Sequence, residues 1–104
     1  MYKIVNTETF KENICKWPIN YLNYIDKIID KLAENPFIGD PLKYQFFREK
    51  RVEEKRIYFL IYEDLNLILL VAAGGKKDQQ DIIDYIRNNL KQFKEMAEKI
   101  AKQP

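Results

Sequence analysis

The stretch from Lys55 to Lys77 constrains the fold more than any other part of the chain. It contains two apolar runs, residues 57–62 and 67–73, separated by the polar residues 63–66. Both runs are short and rich in Ile, Leu, Val, Tyr and Phe, a composition typical of strands. The acidic and asparagine residues between them suit a tight turn. The pattern predicts a β-hairpin whose two strands are largely buried.

Basic residues stand at the open end of this hairpin. Lys55 and Arg56 enter the first strand, and Lys76 and Lys77 follow the second. An antiparallel hairpin brings its two outer ends together, so we expect Arg56 to lie beside the loop 74–77. These four charges predict either a site for an anion or phosphate, or solubilising charges that flank hydrophobic strands.

The composition indicates one globular domain over residues 1–104. Hydrophobic residues make up 46% of the chain and charged residues 33%, which is typical of a folded protein. No apolar run is long enough for a membrane span, and the N-terminus lacks the apolar stretch of a signal peptide. We therefore expect a cytoplasmic protein without a membrane partner. The net charge of +2 is only weak support for nucleic-acid binding, although the whole excess falls within residues 36–77.

The absence of histidine restricts the chemistry. It excludes histidine acid–base catalysis, histidine-containing triads and histidine zinc sites. The single cysteine, Cys15, excludes an internal disulfide and a thiolate cluster. We expect no metal and no cofactor, and any catalysis must use Lys, Arg, Tyr, Ser, Thr or carboxylate side chains.

The rest of the sequence predicts an α+β fold. An N-terminal strand and a two-helix hairpin precede a mainly antiparallel sheet, a three-strand meander, which a long C-terminal helix follows. The predicted elements are a strand over 2–5, a helix capped by Thr9 with Glu12, a helix from Pro18 to Asn35, a loop over 36–41, a strand over 46–52, the hairpin, and a helix from Asp78 to about Lys102.

The C-terminal helix is predicted to be longer than the domain needs. Its apolar stripe consists of Ile82, Ile86, Leu90, Phe93, Ala97 and Ile100. A helix of this length would measure about 37 Å, whereas a domain of this size spans about 26 Å. Its outer half then bends back over the domain, pairs with another chain as a homo-oligomer, or frays.

Four stretches carry a resemblance to a known family: MYKIVNTETF, LAENPFIGDPL, FREKRVEEKRIYFLIYED and VAAGGKKDQQDIIDYI. Their order and spacing over residues 1 to about 90 resemble the RelE/ParE superfamily of type II toxin–antitoxin systems. The resemblance implies a small α+β toxin that a cognate antitoxin neutralises. RelE-type members enter the ribosomal A site and cut mRNA, whereas ParE-type members share the fold but poison DNA gyrase.

The resemblance also implies roles for particular residues. It matches Arg51, Arg56 and Lys77 to basic residues of the family. Together with the clustered charges of the hairpin end, this predicts catalytic roles for Arg51, Arg56, Lys76, Lys77 and Tyr85. We expect Arg48, Lys50 and Lys55 to bind RNA, the alternative for these lysines being a solvated strand edge. Two positions depart from the family pattern. Glu49 stands where a lysine is expected, with Arg48 as its neighbour, and Ile83 stands where a tyrosine is expected, two residues before Tyr85.

Three functions remain open at this point. The first is a ribosome-dependent mRNA endonuclease, metal-independent in the RelE manner, that an antitoxin holds inactive. The second is a binding protein of the same fold without nuclease activity, either a degenerate toxin or a gyrase-directed ParE-type toxin. The third is a homo-oligomer that assembles through the C-terminal helix.

Overall fold

A computed structural model describes residues 1–103, which form five strands and four α-helices. The elements are β1 (Lys3–Asn6), α1 (Glu8–Ile14), α2 (Ile19–Glu34), β2 (Asp40–Leu42), β3 (Tyr44–Val52), β4 (Lys55–Tyr62), β5 (Leu67–Gly75), α3 (Gln79–Asn88) and α4 (Leu90–Ala101). The predicted α+β fold class is confirmed.

The strands form one mixed sheet in the order β1-β5-β4-β3-β2. Strands β3, β4 and β5 are the predicted antiparallel meander, and β1 pairs with β5 in parallel. The sequence placed residues 40–42 in or beside a loop, but they form the short edge strand β2 on β3. A glycine and two prolines hid this strand, because its pairing depends on β3 rather than on its own composition.

The two faces of the sheet are covered by different helices. On the first face, Phe10 of α1 and Ile25, Ile28 and Leu32 of α2 pack on the strands. On the second face, Ile86 of α3 and Phe93 and Ala97 of α4 do so. Since side chains alternate along a strand, each residue of β3 and β4 contributes to one face only.

Helix α1 begins two residues earlier than predicted. Its N-cap is Thr7 rather than Thr9, and the Thr7 hydroxyl accepts a hydrogen bond from the Phe10 backbone N–H at 3.2 Å. The same hydroxyl lies 3.0 Å from the Leu70 carbonyl oxygen and donates to it. Thr7 is preferred as the cap because it also ties the helix to β5, a contact that local sequence does not reveal.

The expected single C-terminal helix is two helices that meet at Asn89. The backbone of Asn89 has φ −122° and ψ 18°, outside the helical range, and its side-chain amide donates to the Tyr85 carbonyl at 2.7 Å. Asparagine side chains compete with the helical backbone in this way. The break turns α4 back over the second face, where Phe93 and Ala97 are buried. Of the three outcomes expected for the outer half, the structure shows the return over the domain.

This return keeps the molecule compact. The Cα radius of gyration is 12.8 Å and the longest axis is 34 Å, shorter than the straight helix expected from the sequence. No helix within residues 1–103 has both the length and the apolar character needed to cross a membrane.

Candidate functional site

A cavity of about 380 Å³ lies at the open end of the β4–β5 hairpin. We call it the basic cavity. Its lining residues are Arg51, Glu54, Lys55, Arg56, Gly75, Lys76 and Lys77. Four of the five residues expected to be catalytic, and one of the three expected to bind RNA, therefore surround one space. The structure brings them together, and their chemical roles stay predictions.

The strand register explains this convergence. Arg56 on β4 lies opposite Arg51 on β3 and opposite Gly74 on β5, and Lys55 lies opposite Gly75. Gly75 has no side chain to fill the space beside Lys55 and Arg56. Like charges directly opposite each other on neighbouring strands are destabilising. The Arg51–Arg56 pair is thus an arrangement that a bound anion would relieve.

Glu49 on β3 is the partner of Arg56. Its Oε1 atom accepts a hydrogen bond from Arg56 Nε at 2.9 Å, and both side chains are about 10% exposed. The Gln79 side-chain amide, at the start of α3, donates to Glu49 Oε1 at 3.1 Å and lies 2.9 Å from Oε2. These three residues, which we call the Glu49 triad, meet the basic cavity through Arg56.

Only one nitrogen of the Arg56 side chain is occupied by the triad. Within residues 1–103, its two terminal guanidinium nitrogens make no hydrogen bond to protein. Arg56 itself lines the basic cavity. A guanidinium that is held through Nε still offers two parallel N–H groups, the geometry that matches a phosphate.

Tyr58 lies beneath the triad on the same face of β4. It is fully buried, and its hydroxyl has no hydrogen-bond partner within residues 1–103. Burial, with the nearby carboxylate of Glu49, raises the pKa of Tyr58 to about 12. Burial likewise raises the pKa of Tyr62 at the other end of the strand. Both phenols are therefore neutral near pH 7 and serve the core.

Arg48 does not lie in the basic cavity. Its side chain points to the opposite side of β3 from Glu49, where Nε donates to the Ile38 carbonyl at 3.0 Å and Nη2 to the Gly39 carbonyl at 3.0 Å. Strand alternation places Lys50 on that side as well. Arg48 therefore cannot substitute for the lysine that Glu49 replaces, because neighbouring strand residues face opposite ways.

Tyr85 is also separate from the basic cavity. It lies on α3, packs edge-to-face on Phe93 with ring centroids 6.0 Å apart, and is 43% exposed. It lines a different cavity, together with Asn13 of α1 and Asp81 of α3. The two-residue offset from Ile83 rotates the side chain by about 200° around the helix, which is why it misses the site.

The two glycines of the loop differ in their surroundings. A Cβ atom on Gly74 would lie 2.7 Å from Ile82 Cδ1, so the absence of a side chain there lets α3 approach the sheet. A Cβ atom on Gly75 would meet nothing within 4 Å. Gly75 lines the basic cavity and leaves its backbone open to a ligand. Beside it, Lys55 Nζ lies 5.5 Å from the centre of the Trp17 ring.

Sequence reasoning missed the roles of Glu49 and Gln79. The sequence marks Glu49 only as a residue whose charge departs from the family pattern. Its position two residues before Arg51 on one strand did contain a signal, since both must share a face and lie near Arg56. Gln79 gave none, because its contact depends on where α3 crosses the sheet.

Within residues 1–103, no group of three or more His, Cys, Asp or Glu residues is placed to hold a metal ion.

By sequence, the chain matches no protein-family model and no curated protein. Its structure does have relatives. It matches a chain of the intact E. coli RelBE toxin–antitoxin complex with a TM-score of 0.65 and 11% identity, over 72% of this chain and 96% of that one. The chain has the fold of the RelE toxins.

Two further structures agree with this fold. The isolated E. coli RelE toxin matches with a TM-score of 0.65 and 11% identity, over 83% of this chain and 99% of that one. The toxin–antitoxin complex RelBE2 from Mycobacterium tuberculosis matches with a TM-score of 0.63 and 18% identity, over 72% of this chain and 98% of that one. The region matched by this chain covers nearly the whole of each of these two structures.

Proposed function

We propose that this protein is the toxin of a type II toxin–antitoxin system and that it cuts mRNA on the ribosome. The observation that carries the proposal is the basic cavity, in which Arg51, Arg56, Lys76 and Lys77 surround one space on a RelE fold. Such a cavity suits the negatively charged backbone of RNA. The group bound in the cavity is then a phosphodiester of the RNA. The protein would act in the cytoplasm, where ribosomes work.

The groups in the cavity would supply part of the chemistry of RNA cleavage. Attack by the 2′-hydroxyl requires a base for its proton, stabilisation of the charged phosphorane, and a proton for the leaving oxygen. Arg51 and Arg56 would hold the phosphate, and the exposed Lys76 or Lys77, in its neutral amine form, would take the proton of the 2′-hydroxyl. The proton for the leaving oxygen would come from the ribosome. Tyr85 has no part in this scheme, because it lies outside the cavity.

A cognate antitoxin is the expected protein partner. Two of the structural neighbours come from toxin–antitoxin complexes, which supports this inference. We expect the antitoxin to overlap the segment Leu90 to Ile100, the part of the chain that the protein itself uses to cover its second face. The ribosome and mRNA are the further partners of the proposed reaction.

Induced expression in a bacterial host tests the proposal. We expect the natural chain to arrest growth and to reduce incorporation of labelled amino acids. The variants Lys76→Ala/Lys77→Ala and Arg56→Ala/Lys77→Ala should relieve the arrest, because losing one charge-stabilising donor costs about 10²–10³ in rate. The matched control is Lys27→Ala/Lys31→Ala, which removes two exposed lysines from α2, away from the cavity.

The outcomes separate the possible functions. Full toxicity in folded cavity variants would refute the proposed site. We expect purified protein alone to degrade free RNA only slowly, because the chain supplies an incomplete set of acid and base groups. Rapid cleavage of naked RNA by clean protein would contradict the dependence on the ribosome.

The second candidate function is a binding protein of this fold without nuclease activity. The observation that favours it is the Glu49 triad, in which a carboxylate neutralises the central arginine of the cavity. A gyrase-directed toxin of this kind would leave translation unaltered and damage DNA. Measuring translation and DNA breaks in the same induced culture distinguishes the two.

A further inference from the structure

We propose that Glu49 and Gln79 are positioning residues, which hold the Arg56 guanidinium so that its two terminal nitrogens face a phosphodiester in the basic cavity. The inference rests on the proposed function, because it assumes that the cavity binds RNA. It adds to the proposed function an explanation of how the protein orients Arg56. Neither residue touches the phosphate.

The first step of the argument is the way in which Arg56 is held. Glu49 Oε1 accepts a hydrogen bond from Nε–H at 2.9 Å, and Nε is the one nitrogen of the guanidinium plane that is not part of the terminal fork. A hydrogen bond at Nε restricts the rotamers of the side chain and thereby the direction of the fork. The terminal nitrogens, without protein partners in residues 1–103, then remain available on the cavity side.

The second step concerns how Glu49 is held. The Gln79 amide lies within 3.1 Å of both carboxylate oxygens, so Glu49 is fixed by α3 as well as by its own strand. Gln79 is the first residue of that helix. The 3₁₀ turn with Lys76 and Lys77 leads directly into α3. The start of this helix therefore positions both the two lysines and Gln79 of the triad.

The third step is the energetic reason for such a device. An arginine on a strand surface has many rotamers, and ordering it on ligand binding costs conformational entropy. A guanidinium that the protein has already ordered avoids that cost and offers its two N–H groups in one plane. In the folded chain, Arg56 is 8% exposed, whereas the side chains of Lys76 and Lys77 are exposed.

The rival interpretation is that Glu49 only neutralises Arg56 and weakens anion binding. The two interpretations predict opposite results for one pair of variants. Glu49→Gln keeps an oxygen that can accept from Arg56 Nε, whereas Glu49→Leu removes the acceptor and keeps a similar volume. If positioning matters, the two variants differ. If charge alone matters, they behave alike and both bind anions more tightly.

The experiment measures binding of the full chain to a fluorescein-labelled 2′-O-methyl RNA hexanucleotide by fluorescence anisotropy at fixed low salt. This probe carries phosphodiesters but no reactive hydroxyl. We expect Glu49→Leu to bind about tenfold more weakly than the natural chain, and Glu49→Gln at least as tightly. Arg56→Lys, which keeps the charge but loses the fork, should also weaken binding about tenfold.

A spectroscopic measurement separates positioning from a general loss of structure. An arginine Nε–H in a buried ion pair exchanges slowly with water and gives a resolved signal in a ¹⁵N correlation spectrum. We expect the Arg56 signal, assigned by its loss in Arg56→Lys, to persist in Glu49→Gln and to vanish in Glu49→Leu. If Glu49→Leu does not fold, Gln79→Leu replaces it, with binding expected to fall about threefold.

The controls make the two proposals fail separately. Equal binding by Glu49→Leu and Glu49→Gln, or unaltered binding by Gln79→Leu, overturns the positioning role. If Arg56→Lys and Lys76→Ala/Lys77→Ala also bind like the natural chain, the basic cavity itself is not the RNA site and the proposed function fails. The surface control Lys27→Ala/Lys31→Ala is expected to bind like the natural chain.

Discussion

The two faces of the sheet each bury an arginine, and the two arginines are satisfied in different ways. On the first face, Arg48 donates to the carbonyl oxygens of Phe37, Ile38, Gly39 and Gln45 and to the Gln45 side chain. On the second face, Arg56 bonds to Glu49 through Nε alone. Arg48 is 6% exposed and Arg56 is 8% exposed, so burial does not distinguish them.

The difference between the partners favours a different role for each arginine. The chain itself occupies the donors of Arg48, which therefore fastens the loop before β2 to β3. The chain occupies one donor of Arg56 and leaves the terminal pair at a cavity. A buried charge whose hydrogen bonds are complete is structural, whereas incomplete bonding beside a cavity favours a ligand. Four predictions test this comparison of the faces.

The largest expected effect is on the second face as a whole. Truncation after Asn89 removes α4 and uncovers the surface that Phe93 and Ala97 close. Since a buried Phe side chain contributes about 1.5–3 kcal/mol, we expect a loss of roughly 5 kcal/mol with aggregation visible by light scattering. The milder pair Phe93→Ala and Met96→Ala serves as a control, since Met96 is 39% exposed and should cost little. A truncated chain as stable, soluble and monomeric as the natural one would contradict this.

The next effect is on the first face. Arg48→Ala leaves several loop carbonyls without a donor, so we expect the free energy of unfolding to fall by about 3 kcal/mol. Urea denaturation measures it. RNA binding per folded molecule should be unaltered, since Arg48 lies across the sheet from the cavity. Weakened RNA binding at full stability would reverse the roles that we assign to the two arginines.

A smaller effect concerns the buried hydroxyl beside the triad. The pKa of Tyr58 is raised to about 12 from 10.0, so the folded state keeps this proton after the unfolded state has lost it. Its contribution to stability is therefore complete below pH 10 and is lost as the pH rises through 12, by roughly 2 kcal/mol. Tyr58→Phe should show a shallower alkaline loss in urea titrations at several pH values.

Neutral pH gives the second half of that test. Because the Tyr58 hydroxyl has no protein partner within residues 1–103, Tyr58→Phe should be as stable as the natural chain or more stable by about 1 kcal/mol. A clear loss of stability in this variant at pH 7 would indicate that the hydroxyl has a partner, and the second face would be more completely bonded than we describe.

The smallest effect distinguishes the two glycines at the corner of the second face. Gly74→Ala should cost about 1 kcal/mol, because the new methyl group displaces the flexible end of Ile82. Gly75→Ala should leave thermal stability unaltered, since nothing lies within 4 Å, and should weaken RNA binding by narrowing the cavity. Equal melting temperatures for the two variants would show that α3 does not depend on close approach at Gly74.

The sequence predicted the features that depend on local pattern. The apolar runs of β4 and β5 predicted the hairpin, and the hairpin brought Arg56 beside the loop with Lys76 and Lys77. These inferences succeeded because strand and turn signals are encoded within a few residues.

Contacts between distant parts of the chain decided the rest. The cap at Thr7 depends on β5, and the ion pair of Glu49 depends on strand register and on Gln79, 30 residues away. The apolar stripe after Asp78 is continuous in sequence, yet the chain bends at Asn89. A straight helix would extend beyond the second face of the sheet, whereas the bend lets Phe93 and Ala97 pack on that face. The residue types at the open end of the hairpin were visible in the sequence. Packing decided which of their hydrogen-bond donors are paired within the protein and which face the cavity.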